Sequence, residues 1–167
     1  AKEMMVLAAA LTIQDPRERP AEVRGTADEM HARFTDDKSD FSSFLLLWQY
    51  INERQAELSS SQLRKICHRE FINFLRIREW QDLFAQLREM GRTANIRVSN
   101  GRDIDASGRE VEIHESLLSG LLSHVGAKEE REKTYGKAPR GPREYLGARG
   151  TQFAIFPGPG LLQQNPD

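Results

Sequence analysis

A single cysteine in 167 residues excludes an internal disulfide and any thiolate zinc site. That thiol, Cys67, suits the reducing interior of a cytoplasm. Cys67 and His68 are neighbours, and adjacent helical residues point about 100° apart, so they cannot form a nucleophile–base pair. The four histidines, His31, His68, His114 and His124, are scattered with no ligand-type spacing, so no metal site is expected. No glycine-rich turn leads into Lys and Ser/Thr, which excludes a P-loop. The nearest candidate, Gly158-Pro159-Gly160, lacks the lysine, and its proline removes an amide donor. Serines are plentiful, but none stands in a Gly-x-Ser-x-Gly elbow. No run has the length and apolarity of a membrane span, and the N-terminus lacks the basic-then-apolar layout of a signal peptide. Charge of one sign is not in excess either: 24 Lys and Arg face 25 Asp and Glu, a net charge of −1. No global field draws this chain to nucleic acid or lipid, so any basic surface must be local. These absences predict a segment with no catalytic residue and no cofactor of its own.

What is present is a polar chain, 38% hydrophobic and 29% charged, long enough for one domain or one domain and part of another. Its charges are unevenly spread. Residues 14–40 lean acidic, whereas 61–92 and 127–150 lean basic. Met4, Met5, Val6 and Leu7 begin a helix at once, which, with the abrupt end after Gln163-Gln164-Asn165-Pro166-Asp167, points to a piece of a longer polypeptide. That first helix, over 3–13, is expected to stop at Gln14-Asp15-Pro16, because proline disfavours the helical region for the residue before it. Pro20, in first-turn position, opens a charged helix to about Phe34. Between them, Asp15 to Pro20 form a charged turn pinned by two prolines, either a plain connection or a rigid docking point.

Thr35 to Ser39 read as a polar link, and Ser39 or Asp40 can cap a helix with Phe41, Phe44, Leu45, Trp48 and Ile51 on one stripe. Ser59-Ser60-Ser61 cap a short helix over 62–69. The most informative stretch follows: Phe74, Ile77, Trp80, Phe84 and Leu87 recur at gaps of three and four, the seam of a long helix that Gly91 ends. Arg76, Glu79, Asp82, Gln86 and Glu89 fall mostly on its other side, and Arg64, Lys65, His68 and Arg69 lead into it. Residues 92–109 read as a mobile loop. A last helix from about Glu110 to His124 turns Ile113, Leu117, Leu118, Leu121, Leu122 and Val125 inward, with Gly120 weakening it to permit close packing. Residues 126–143 read as a charged loop. Tyr145 to Arg149 and Gln152 to Phe156 read as two strands joined at Gly150-Thr151, with Phe153 and Ile155 on one face. A lone hairpin is barely stable in water, so these strands belong to a larger sheet.

Six pieces in order carry a resemblance. They are Ile13 to Pro20 (Ile-Gln-Asp-Pro-Arg-Glu-Arg-Pro), Ala27 to Phe34 (Ala-Asp-Glu-Met-His-Ala-Arg-Phe), Ser39-Asp40-Phe41 with Leu46-Leu47-Trp48, Cys67 to Leu87 with Arg78 and Gln81, Leu117 to His124, and Arg149 to Gly158. Together they resemble the C-terminal part of DEAH-box ATP-dependent RNA helicases, in particular the large bacterial members. The resemblance implies a mainly α fold, with residues 1–125 a helical ratchet (helicase-associated) domain and 126–167 a linker and the first strands of a truncated OB-fold. In such proteins ATP and Mg are held upstream by two RecA-like domains, followed by a winged-helix domain. The ratchet domain walls part of a channel for single-stranded RNA, and its motion accompanies ATP turnover. Here Arg64, Lys65, Arg69, Arg76 and Arg78 become candidate donors to the RNA backbone, or to single-stranded DNA, and Arg17 and Arg19 candidate docking residues for the upstream domains. Each arginine of the first group has an alternative as a surface ion-pair partner of Glu70, Glu79 or Asp82. The rival function is an α-helical protein-interaction adaptor without RNA binding, which the acidic helix over 20–36 favours.

Overall fold

Three helices begin on side chains that the sequence supplies for the purpose. The computed structural model describes residues 1–36, 39–98, 109–128 and 144–154, and among these the fold is mainly helical with a small sheet at the end. The helices are α1 (Lys2–Ala10), α2 (Arg24–His31), α3 (Asp40–Glu57), α4 (Ser60–Arg69), α5 (Phe74–Thr93) and α6 (Glu110–Gly120). Ser39 caps α3 by accepting from the Ser42 amide. Ser59 caps α4 in a reciprocal box, its hydroxyl accepting from the Gln62 amide while the Gln62 side chain accepts from the Ser59 amide. Asn73 caps α5 by accepting from the Arg76 amide.

The core lies where α1, α3 and α5 meet. Val6 and Leu7 of α1, Leu45, Leu47 and Ile51 of α3, Leu63 of α4, and Ile77 and Trp80 of α5 are fully or almost fully buried. Trp80 is the keystone of the seam. Its ring packs edge-to-face with Trp48 and Phe44, 4.9 and 5.9 Å between ring centroids, and its Nε1 donates to the Val6 carbonyl at 2.9 Å. A buried indole N–H without an acceptor would cost free energy, so this bond also sets the height of α1 on α5. Phe74, Phe84 and Leu87 line the edge of the same core.

Several elements differ from the sequence expectation. The helix expected over 3–13 ends at Ala10. The helix expected from Pro20 to Phe34 is split into a 3-10 turn at Ala21–Val23, α2, and a second 3-10 turn at Ala32–Phe34. Pro20, at φ −59° and ψ 137°, stands before the first turn and not in it. Gly91 does not end α5, which runs on to Thr93; a Cβ there would lie 2.5 Å from the Met5 methyl, so the glycine serves the approach of α1. Gly120 has the opposite role. Nothing lies within 4 Å of where its Cβ would be, and α6 stops at it. Leu118 within α6, and Leu122 and Val125 beyond its end, are exposed; Ile113 and Leu117 are buried and Leu121 is partly so.

The sheet has three antiparallel strands in chain order, β1 (Gly126–Lys128), β2 (Tyr145–Gly147) and β3 (Gln152–Phe153). β1 falls where a loop was expected. Its register pairs Gly126 with Gly147 and Lys128 with Tyr145, and Tyr145 in turn pairs with Phe153. The turn between β2 and β3 is made by Arg149 and Gly150, at φ 61° and 75°, the positive pair that matches hairpin twist, so the joint lies one residue before the expected Gly150-Thr151. The core of the expected mobile loop (99–108), most of the charged loop (129–143), Ile155, Phe156 and the turn from Pro157 to Gly160 lie outside the described residues.

Candidate nucleic-acid interface

Helix α4 has two unlike faces. Leu63 and Cys67 point into the core, with exposures of 1% and 0%, while Arg64, Lys65, His68 and Arg69 are exposed on the opposite side. The spacing dictates this, since residues four apart share a face and the polar positions fall between the two apolar ones. His68 and Arg69 also sit in the last turn, where positive charge complements the helix dipole. The Arg64 guanidinium lies over the Phe74 ring, 5.1 Å from its centroid, which ties α4 to the first residue of α5. Arg78 stands one turn beyond Phe74 on the same side of α5 and is exposed.

The candidate donors therefore divide by what they already touch. Lys65, Arg69 and Arg78 are exposed and form no ion pair with a carboxylate among the described residues. Arg64 is held by an aromatic face and is exposed. Arg76 is committed elsewhere: its Nη1 donates to the Asp15 carbonyl at 2.9 Å. The carboxylate of Glu70, one possible partner for these arginines, is already engaged by Arg33 and by the Tyr50 hydroxyl at 2.8 Å. By contrast, Arg17, Arg19, Arg33, Arg54 and Arg92 each sit against a carboxylate.

The proline-pinned turn packs inside this segment. Glu18 N donates to the Phe71 carbonyl and Asn73 N to the Pro16 carbonyl, both at 2.8 Å, forming a bridge around Arg17 and Ile72. The Asn73 amide donates to Glu18 Oε1 at 2.7 Å. Arg17 forms a fork on Asp15, with Nη2 to Oδ2 at 2.8 Å and Nε to Oδ1 at 3.1 Å, and stacks on Phe44 at 5.0 Å. Arg19 pairs with Asp28 at 2.8 Å and stays more than a third exposed.

Sequence reasoning missed the cluster behind α4. His31, only 2% exposed, lies with Nε2 3.0 Å from the Glu70 carbonyl. A carbonyl only accepts, so Nε2 carries the proton and the buried Nδ1 is left without a partner. Burial pushes the His31 pKa below 6.5; the Glu70 carbonyl opposes this and Arg17 and Arg19 add to it. Burial, then the Glu70 hydrogen bond, raises the Tyr50 phenol. Burial, with Glu70 nearby, pushes the Cys67 thiol up to about 11, which makes it a core group and not a nucleophile. No local pattern could have revealed the cluster, because His31 and Glu70 are 39 residues apart and meet through a backbone oxygen. No group of three or more His, Cys, Asp or Glu suited to a metal ion occurs among the described residues, and none of their helices is long and apolar enough to cross a membrane.

No family model matches the chain. Two curated proteins do. It is 45% identical over 164 residues to an "ATP-dependent RNA helicase HrpA homolog" of Haemophilus influenzae, covering 98% of this chain and 11% of that protein. It is 44% identical over 165 residues to "ATP-dependent RNA helicase HrpA" of Escherichia coli, covering 99% of this chain and 12% of that one. The chain thus spans about an eighth or less of the length of the relatives it matches. Identity of this level over nearly every residue of the chain makes it homologous to one segment of these HrpA-type RNA helicases.

Proposed function

We propose that this chain is the non-catalytic C-terminal segment of an ATP-dependent RNA helicase. In this reading its helical part, residues 1–125, is the ratchet domain, and the strands from Gly126 onward begin an OB-fold. The helices wall one side of a single-strand channel and move with ATP hydrolysis in upstream RecA-like domains, where ATP and Mg would be held. The observation that carries the reading is the outward face of α4. Arg64, Lys65, His68 and Arg69 stand exposed on a helix whose other side is locked in the core, next to Arg78. A stiff helix presenting exposed donors can follow a sugar-phosphate backbone without reading bases. The docking role of Arg17 and Arg19 enters in a narrower form: Arg17 is internally engaged, and Arg19 has the greater exposure for an upstream domain.

The test reverses Arg64, Lys65 and Arg69 to glutamate in a full-length helicase carrying this segment. Affinity for unrelated single-stranded RNAs should fall by a similar factor for each, because phosphate contacts hold no sequence information. Unchanged affinity and unchanged RNA-stimulated ATP hydrolysis would reject this face. An absence of RNA affinity in the parent at low salt would instead favour a protein-interaction adaptor.

A further inference from the structure

The turn between α4 and α5 is held far more tightly than a connection of four residues requires. Every one of its members is engaged from outside the two helices or by the end of α4. The Glu70 carbonyl accepts from His31 at 3.0 Å, and the Phe71 carbonyl from Glu18 N at 2.8 Å. Ile72 N donates to the Cys67 carbonyl and Asn73 N to the Pro16 carbonyl, both at 2.8 Å. The Glu70 carboxylate, in a residue only 7% exposed, accepts from Tyr50 and Arg33. Within this clasp Phe71 adopts φ 55°, a left-handed conformation that a bulky residue keeps only where its surroundings over-determine it.

We propose that His31 and Glu70 are positioning residues: they latch the α4–α5 turn and thereby fix the direction in which the basic face of α4 points. The proposal rests on the reading of that face as a nucleic-acid surface. Arg69 immediately precedes Glu70, so no slack separates this exposed cation from the latch. His31 is chemically suited to the task. Its Nε2–H is a neutral donor on a rigid ring, delivered from the end of α2, and it reaches a carbonyl that the last turn of α4 leaves free. Arg33, two residues further on, pairs with the side chain of the same Glu70, so one short segment grips both the backbone and the carboxylate of one residue. Arg33 is itself stacked on Phe34 at 4.6 Å and on Tyr50 at 4.5 Å, which holds the grip in place.

The experiment reads orientation and binding separately. Spin labels on Ser61→Cys in α4 and Asp82→Cys in α5, both exposed positions, report the angle between the helices; Cys67, buried with its thiol pushed up to about 11, stays unlabelled. His31→Leu keeps bulk and loses the donor, whereas His31→Gln restores an amide donor near the Nε2 position. The interspin distance distribution of the chain should broaden about twofold in His31→Leu and return to the parent width in His31→Gln, as for removal and restoration of one coupling contact. In a full-length helicase, at a temperature where each variant is folded by circular dichroism, RNA affinity should drop about fivefold for leucine and recover for glutamine. An unchanged distribution in His31→Leu overturns the latch, and a broadened one with unchanged affinity overturns its link to binding. If His31→Leu does not fold, Glu70→Gln, of the same shape, tests the carboxylate arm of the latch, held by Arg33 and Tyr50, with the same two measurements. Because the distances are measured without RNA, a failure of charge reversal on α4 to affect binding would remove the nucleic-acid reading alone.

Discussion

The helical body and the three-stranded sheet hold together by different means. In the body, a continuous set of side chains from α1, α3, α4 and α5 is removed from water, and Trp80 joins three of these helices through two aromatic edges and one hydrogen bond. In the sheet, strands of three, three and two residues bring only Tyr145 below a tenth exposure, while Leu146 and Phe153 remain 45% and 42% exposed. Besides the pairing of its strands, one ring contributes to its coherence. Phe153 stacks on Tyr145 at 5.8 Å and covers the backbone of Gly126 and Gly147, where a Cβ would meet it at 2.5 and 3.2 Å. A rigid body and a lightly bound sheet suit different tasks: the first can hold charges in fixed places, the second gains from neighbours beyond its own edges.

The comparison breaks most readily at Trp80. Trp80→Ala should destabilise the chain by about 3–5 kcal/mol, since it opens a cavity and orphans the Val6 contact. Thermal unfolding followed by circular dichroism measures this, and a melting point within a degree or two of the parent would mean the seam is not the core.

The second effect is pH-dependent and belongs to the latch. The folded-state pKa of His31 lies below its ordinary 6.5, so the unfolded chain takes up the proton more readily. Stability from the neutral ring is therefore complete above about 6.5 and is lost as pH falls from there through the folded value. Melting points taken from pH 7.5 to 5 should fall more steeply for the parent than for His31→Gln, and parallel curves would contradict it.

The smallest effect is expected in the sheet. Phe153→Ala should remove a stacked aromatic pair, about 0.5–1.5 kcal/mol locally, and leave the melting of the helical body unmoved. Hydrogen exchange at the β2 amides would show it. A loss as large as that at Trp80 would erase the distinction between the two regions.

What the sequence reveals follows the same divide. The caps at Ser39 and Ser59 were legible because their partners lie within a few residues, and the seam from Phe74 to Phe84 because helical spacing alone puts those residues on one face. β1 was not, because Gly126-Ala127-Lys128 shows no apolar alternation and its partner strand begins seventeen residues later in the chain. Periodicity puts Leu122 inward because it cannot foresee that α6 ends at Gly120, whereas Leu118, inside α6, stands about 100° round the helix from buried Leu117 and is exposed. At the interface, the basic residues of α4 were evident from composition, but which are free and which are spent was not. Arg76 is drawn to a carbonyl 61 residues away, and the latch at Glu70 depends on the path of the backbone at Phe71.

The central claim is that the exposed cations of α4 and α5 bind a single strand through its phosphates. Its most direct test is the salt dependence of RNA affinity in a full-length helicase bearing Lys65→Gln, Arg69→Gln and Arg78→Gln, singly and together. Each neutralised contact should make the slope of log affinity against log salt shallower by about 0.7, so that the triple variant shows roughly three such steps. A triple variant with the parent's slope and affinity would contradict the account.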